Sequence, residues 1–392
     1  MPTEQRFLPV QRLTEGPFYH FFGYYDKFPW DITGRYLLGM QVSFMNRPPT
    51  PEDVLVIGLI DTQEGNRWRP LASTVAWYWQ QGTMLHWLPS APDRKIIYNC
   101  RTRNGYGSTI LDIVTGESRV LPRPIYALSP DGKAAICLNF SRVHRTRRGY
   151  GYTGVPDAWA DDLAPEQDGI YHMSLETGES RLIVSLAQAR RYRPLPSMEG
   201  ATLWFNHLQF NTAGTRIEFL NRWRNLETGR SHVTRCYTAN PDGSDLYLLS
   251  DEGMVSHFDW RDDKRFLAWS TARGENHYHL YTDRTDQVEI VGKDVFSMDG
   301  HCSYSPDRQW ILTDTYPDPV ESKRTLILYH VATNRRIDIG RFYSSPEITG
   351  EIRCDLHPRW SRDGKQVCFD SIHEGERQMY VIDVSAITGA QG

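Results

Sequence analysis

One pattern of polar and apolar positions recurs along the chain: an aromatic or aliphatic residue, a serine, a Pro-Asp-Gly-like turn, a basic residue, then an apolar run. The strongest copies are LSPDGKAAICLNF (128–140), YSPDRQWILTDTY (304–316) and WSRDGKQVCFDSI (360–372). PWDITGRYLLGMQ (29–41), SAPDRKIIYNCRT (90–102), FNTAGTRIEFLNR (210–222) and WRDDKRFLAWSTA (260–272) follow the same plan. The turn residues supply a tight reversal and the alternating or β-branched run supplies a strand, so each copy predicts a hairpin.

A second signal follows within each unit, an apolar strand ending in a hydrophilic turn, as in ILDIVTGESRVL, IYHMSLETGESRLI, CYTANPDGSDLYLL and LILYHVATNRRIDI. Two hairpins per unit make four strands in roughly 40–50 residues, the period of a propeller blade. The seven copies therefore predict an all-β, seven-bladed β-propeller with four-stranded antiparallel blades, one domain spanning 1–392. Helical periodicity is weak, and only the stretch around Ser185–Leu195 reads as a short helix. The last copy ends near Ile387, which leaves little chain for an outer strand. The segment RFLPVQRLT (6–14) is expected to complete the last blade, because closing the ring removes exposed sheet edges.

Composition narrows the function classes. The formal net charge is −4 over 392 residues and the basic residues are scattered, so there is no electrostatic footprint for nucleic acid or an anionic membrane. No apolar run approaches the ~18–20 residues that span a bilayer, and the start carries no apolar signal region, which predicts a cytoplasmic protein. The six cysteines show no CxxC spacing and read as reduced structural thiols. There is no Walker loop, GxSxG elbow, HExxH or dinucleotide fingerprint.

The inner strand of each blade lines a central channel, so a position just before the turn recurs around that channel. His86, His207, His257, His301 and His357 all fall in this region; the last four align without gaps to the turn that follows, and His86 needs a one-residue shift. Asp355 lies two residues before His357, on the same side of a strand. His257, His301, His357 and Asp355 therefore form a candidate site for a divalent metal. Cys302 and Cys354, one residue out of phase, rank lower as ligands. The loop RTRRGYGYTG (145–154) is a candidate binding rim, with Tyr150 and Tyr152 as acid or base and Arg145, Arg147 and Arg148 as carboxylate binders. Arg222 and Arg224, just after an inner strand, are further carboxylate binders. Tyr24, Tyr25, Asp26 and Lys27 are placed at the mouth of the first blade, and an aromatic content of 12% suits stacking on sugar faces.

The SPDGK repeat is similar to that of Tol-B-type propellers. GHCSYSPD and DLHPRWSRDG resemble oligogalacturonate lyases, which are seven-bladed propellers; FGYYDKFPWD and RRGYGYTG are similar to seven-bladed ulvan lyases. The first resemblance implies a divalent metal, zinc or manganese, held by His301 and His357, with His257 as the base. Asp355 stands where that family has the second histidine of an HxH pair, and Ile352 where it has a glutamine ligand. The second resemblance implies that a histidine and a tyrosine move protons, so that His86 with Tyr150 or Tyr152 matter most, beside a structural metal. The position about twenty residues after His86 lies in NGYGS and is not a histidine. Both resemblances imply β-elimination on uronate-containing saccharides. Taken with the residue reading, the catalytic candidates are His257, His86, His207, Tyr150 and Tyr152, and the substrate-binding candidates are Arg148, Arg222, Arg224, Tyr24 and Lys27. The alternatives are a propeller that only binds carbohydrate or protein through a metal-pinned fold, and a glycoside hydrolase using carboxylates among Asp26, Asp259, Asp314 and Asp370.

Overall fold

A computed structural model describes residues 3–229 and 231–389. They form seven sheets arranged as the blades of a β-propeller. Blade 1 holds the strands Tyr19–Phe21, Tyr36–Val42, Leu55–Asp61 and Arg67–Thr74, and the next five blades repeat that antiparallel order along the chain. Blade 7 takes three strands from the C-terminal end, Arg359–Trp360, Gln366–Ser371 and Gln378–Asp383. Its outer strand is Val10–Arg12, paired antiparallel with Val10 opposite Ile382. The ring closes as the sequence predicts. In addition Glu4–Gln5 pairs in parallel with Arg335–Tyr343, the outer strand of blade 6.

The repeated Ser-x-Asp is explained by the turns. In blades 3, 6 and 7 the serine hydroxyl donates to the aspartate two residues on (Ser129–Asp131 2.6 Å, Ser361–Asp363 2.6 Å) and accepts the N–H that starts the next strand. The residue after that aspartate adopts φ near +70° at Gly132 and Gly364, which glycine takes without a Cβ penalty. Arg308 occupies the same place in blade 6 at φ 62°. The core lies between neighbouring blades. Trp310, Leu312, Leu326 and Leu328 of blade 6, for example, meet Trp360, Val367, Phe369 and Tyr380 of blade 7.

Two insertions shape the channel. In blade 1 the pairing jumps from Phe21–Met40 to Trp30–Leu37, so that residues 22–29 leave the strand. Asp370 anchors this excursion by accepting from the N–H groups of Phe22 and Gly23 (3.2 Å each) and from buried Arg359 (2.7 Å). In blade 3 the connection between the second and third strands begins with the helix Phe140–Thr146, capped by Asn139. The sequence read 145–154 as loop throughout; its first two residues end this helix. Arg142 pins the insertion to blade 4 by donating to Leu203 O (2.7 Å), and its pair with Asp157 (3.2 Å) ties the insertion together internally. The short helix expected near 185–195 is Leu186–Arg191.

Candidate functional site

His207, His257, His301 and His357 share one register. Each stands four residues before the residue whose N–H closes the hairpin turn, namely Asn211, Arg261, Ser305 and Ser361. In blade 2 the closing residue is Leu88, which bonds to Lys95 across a longer turn, so Met84 occupies that register. His86 lies two residues farther down, which corrects its assignment to the histidine set. Local backbone irregularity aims these side chains inward. His207 and His257 sit where the register of the inner strand slips, a bulge that re-directs a side chain. His207 and His357 also hold φ of 50° and 41°, a region costly for a histidine and found at sites the surrounding fold over-determines.

On one side of the channel mouth, His301, Asp355 and His357 form a buried cluster whose nearest ligand atoms all lie within 4.8 Å of one another. Asp314, at the end of the second strand of blade 6, accepts from the N–H of His301 (2.8 Å) and from its Nδ1 (2.9 Å). That fixes Nδ1 as the donor and leaves Nε2 as the free nitrogen. The Nε2 atoms of His301 and His357 are buried and have no hydrogen-bond partner. They lie 3.9 and 3.8 Å from Asp355 Oδ2. An unpaired buried polar atom costs about 1–3 kcal/mol. A cation shared with Asp355 satisfies both nitrogens, so the residues present fit a metal. Asp355 is itself flanked by Arg353 (Nε to Oδ2, 2.7 Å) and Arg324 (Nη2 to Oδ1, 2.7 Å), the second close but poorly aligned for a hydrogen bond. Burial opposes ionisation there, yet these guanidiniums hold the carboxyl well below the usual range.

His257 stands beside this group, its ring 4.0 Å from that of His301, with Nδ1 3.0 Å from Asp299 Oδ1. Burial lowers its pKa, partly offset by Asp299. Tyr150 faces the cluster from the blade 3 insertion. Arg353 Nη2 donates to its hydroxyl (2.8 Å), and the Arg147 guanidinium lies 5.1 Å from its ring centre. Burial would raise the phenol, but these two cations outweigh it and bring Tyr150 down to about 8. Tyr24 and Tyr25 form the floor. Tyr24 stacks on His207 at 5.2 Å and meets His357 edge-on, while Tyr25 donates to Phe258 O (3.0 Å).

Other candidates fall elsewhere. Tyr152 is fully buried, stacked on Phe140 at 4.3 Å, with its hydroxyl accepting from Asn99 (2.9 Å). It is a core residue, because the segment carrying Tyr150 and Tyr152 is no strand and their spacing does not put them on one face. Lys27 pairs with Asp26 (2.5 Å) below the floor and, with His86, lines a depression of 380 Å³ at the opposite end of the channel. Neither reaches the histidine cluster. Arg148 is exposed on the rim, 3.8 Å from Glu351. Arg222 is buried and Arg224 half-buried at the mouth. Cys302 and Cys354 are buried in apolar clusters turned away from the mouth. Arg353 and Asp299 carry no repeat signal and were missed, as was Tyr316, the last residue of the copy 304–316, whose ring lies 6.2 Å from that of His301. A depression of 790 Å³ between blades 2 and 3 is lined by charged groups such as Lys95, Asp112 and Arg119. None of its lining residues leaves a buried polar atom unpaired, in contrast to His301 and His357 at the channel mouth.

No protein-family model matches the chain, and no curated protein does either. Solved structures do. An oligogalacturonate lyase from Vibrio parahaemolyticus aligns over 96% of this chain and 94% of its own, with a TM-score of 0.67 at 15% identity. An oligogalacturonate lyase in complex with manganese aligns over 97% and 95%, with a TM-score of 0.66 at 16% identity. The propeller domain of a trilobed protease from Pyrococcus furiosus, at 11% identity, covers 89% of this chain and 92% of that one, with a TM-score of 0.53. The chain is thus a seven-bladed propeller of a form shared by lyases and proteases. At these identities the likeness is one of fold.

Proposed function

We propose that the protein is a lyase that cleaves uronate-containing oligosaccharides by β-elimination. The observation that carries this reading is the pair of unpaired Nε2 atoms on His301 and His357 beside Asp355, with Tyr150 and His257 at the same mouth. The likeness to an oligogalacturonate lyase in complex with manganese supports it. His301, Asp355 and His357 would hold a divalent ion, manganese or zinc by its nitrogen and oxygen donors. Held there, such an ion would supply positive charge to neutralise the uronate carboxylate, which would make the adjacent C5 proton more acidic.

The chain's own groups supply the proton transfers. Asp299 accepts the Nδ1 proton of His257, which leaves Nε2 with the lone pair of a general base. His257 takes the C5 proton, the electron pair of that bond forms the C4–C5 double bond, and the C4–O bond breaks. Tyr150 delivers a proton to the departing oxygen. Its own acceptor capacity is taken by Arg353, so its hydroxyl proton remains available. A phenol near pKa 8 is largely protonated at neutral pH and a stronger acid than an ordinary tyrosine.

The test follows absorbance in the ultraviolet band of a 4,5-unsaturated uronate, using purified protein, a panel of uronate oligosaccharides, and manganese or zinc. A rise that chelator abolishes is expected. Release of a saturated reducing end would instead identify a hydrolase, and binding without any product a carbohydrate-binding propeller.

A further inference from the structure

The hairpin register that aligns the histidines defines a second ring one step lower. Two residues before the turn-closing residues Leu88, Asn211, Arg261, Ser305 and Ser361 stand His86, Gln209, Asp259, Ser303 and Arg359, so five blades place a polar side chain at one level. Residues two apart on a strand share a face, which sets this ring in the channel below the histidines. Tyr25 lies between the two levels. Its ring is 5.4 Å from that of His301 above, and it lines a cavity below. That cavity has two lobes, of 290 and 380 Å³, which share Lys27, Phe28, Gln209 and Phe210. Together they reach the size of a small-molecule site, about 300–1,000 Å³.

The polar residues of this cavity are poorly satisfied. His86 Nε2, Gln209 Oε1, Ser303 Oγ, Tyr304 Oη and Trp260 Nε1 are all buried without a hydrogen-bond partner among the described residues, and Tyr304 and Trp260 are only 3% and 1% exposed. Gln209 Nε2 donates to Asp259 Oδ1 (2.9 Å), which orients the amide and leaves Oε1 as an acceptor, whereas the Trp260 indole can only donate. The charged groups, by contrast, are engaged. Lys27 pairs with Asp26 (2.5 Å), Asp259 also accepts from the Tyr304 N–H (2.8 Å), Arg359 pairs with Asp370 (2.7 Å), and Arg362 donates to Trp30 O (2.9 Å). What is unmet is therefore uncharged and mixed, donors beside acceptors, among the rings of Phe28, Phe210 and Trp360. Buried polar groups are normally paired, and a hydroxyl both donates and accepts, so a molecule with several hydroxyls satisfies the whole set where an ion satisfies one kind.

We propose that the lower end of the channel is a binding site for a small neutral polyol, whose hydroxyls pair with His86, Gln209, Ser303, Trp260 and Tyr304 while its carbon frame packs on Phe28 and Phe210. The site lies across the tyrosine floor from the histidine cluster and shares no residue with the candidate metal ligands, so it stands or falls apart from the lyase reading.

Titration calorimetry with myo-inositol, glucitol and gluconate tests it. Saturable binding of at least one neutral probe is expected, with gluconate, whose chain ends in a carboxylate, at least tenfold weaker than the better of the two. His86→Phe fills one lobe and should weaken that neutral probe at least tenfold. Tyr304→Phe removes one hydroxyl and keeps the ring; it should weaken the probe at least threefold, and it serves if His86→Phe does not fold. No saturable binding of either neutral probe, the result if solvent alone fills the cavity, overturns the site. Binding that survives both substitutions places the polyol elsewhere and overturns it too. A gluconate affinity within tenfold of the neutral probe overturns the neutral class. Elimination of uronate without polyol binding sinks this site alone, and polyol binding lost in these variants, with no uronate eliminated, sustains the site and sinks the lyase reading.

Discussion

The ionisation of Tyr150 is set by two guanidiniums working against burial, and that balance is accessible to single substitutions. As the proposed donor to the leaving oxygen, the phenol must carry its proton, so the rate is expected to fall as pH rises through about 8. Tyr150→Phe should lower kcat by roughly 10²–10⁴-fold, the usual value of a general acid, and flatten that alkaline limb. Arg353→Gln removes both the hydrogen bond and the nearer positive charge, so the limb should move upward in pH. A limb that stays near 8 in Tyr150→Phe would show that another group titrates there. Tyr152, two residues along, is expected to affect stability and not the pH profile, because its hydroxyl is committed to Asn99 inside the core.

At the level of elements, the ring depends on how the N-terminal strand Val10–Arg12 meets the last blade. Leu13 follows the closing strand Val10–Arg12, donates its N–H to Met379 O (2.9 Å) and buries its side chain at 4% exposure. Leu13→Ala should cost about 2–5 kcal/mol, read as a lower urea midpoint. Phe7→Ala, at a residue 55% exposed, should change little. Equal effects would mean that the closing strand contributes no special stability. This closure was legible in the sequence because turn chemistry and strand alternation are local signals, and the last copy of the repeat visibly lacked an outer strand. The histidine register was legible in four blades for the same reason. It failed at His86 because the longer turn of blade 2 shifts the count, leaving Met84 at the channel position. Arg353 and Asp299 lie on irregular connections between blades, where no period predicts direction. Asp314 was visible as a carboxylate, but its bond to His301 spans a hairpin and appears only once the strands pair. Tyr24, Tyr25, Asp26 and Lys27 read as the mouth of blade 1, whereas a pairing jump lays residues 22–29 across the channel and puts Tyr24 in the floor.

Across the whole molecule, the candidate metal-ligand cluster joins blade 6, through His301, to the approach to blade 7, through Asp355 and His357, next to the blade that closes the ring. An ion bound there cross-links neighbouring blades and favours the folded state by mass action, about 2.7 kcal/mol at a concentration one hundred times its Kd. Manganese or zinc should therefore raise Tm, and chelator should reverse the rise. Two arginines already draw on the Asp355 carboxylate, which weakens its donation to a cation, so chelators are expected to strip the site readily. His301→Ala and His357→Ala should each abolish the metal-dependent rise. His257→Ala separates structure from chemistry: its Nδ1 is committed to Asp299 and it lies outside the three-residue cluster, so the thermal response to metal should persist while elimination is lost. Loss of both together would make His257 a fourth ligand, and a wild-type Tm indifferent to either ion would remove the metal from the site altogether. A propeller fold shared with proteases cannot decide between these outcomes, because the same ring carries unrelated chemistries. The decision falls to the few side chains at its mouth.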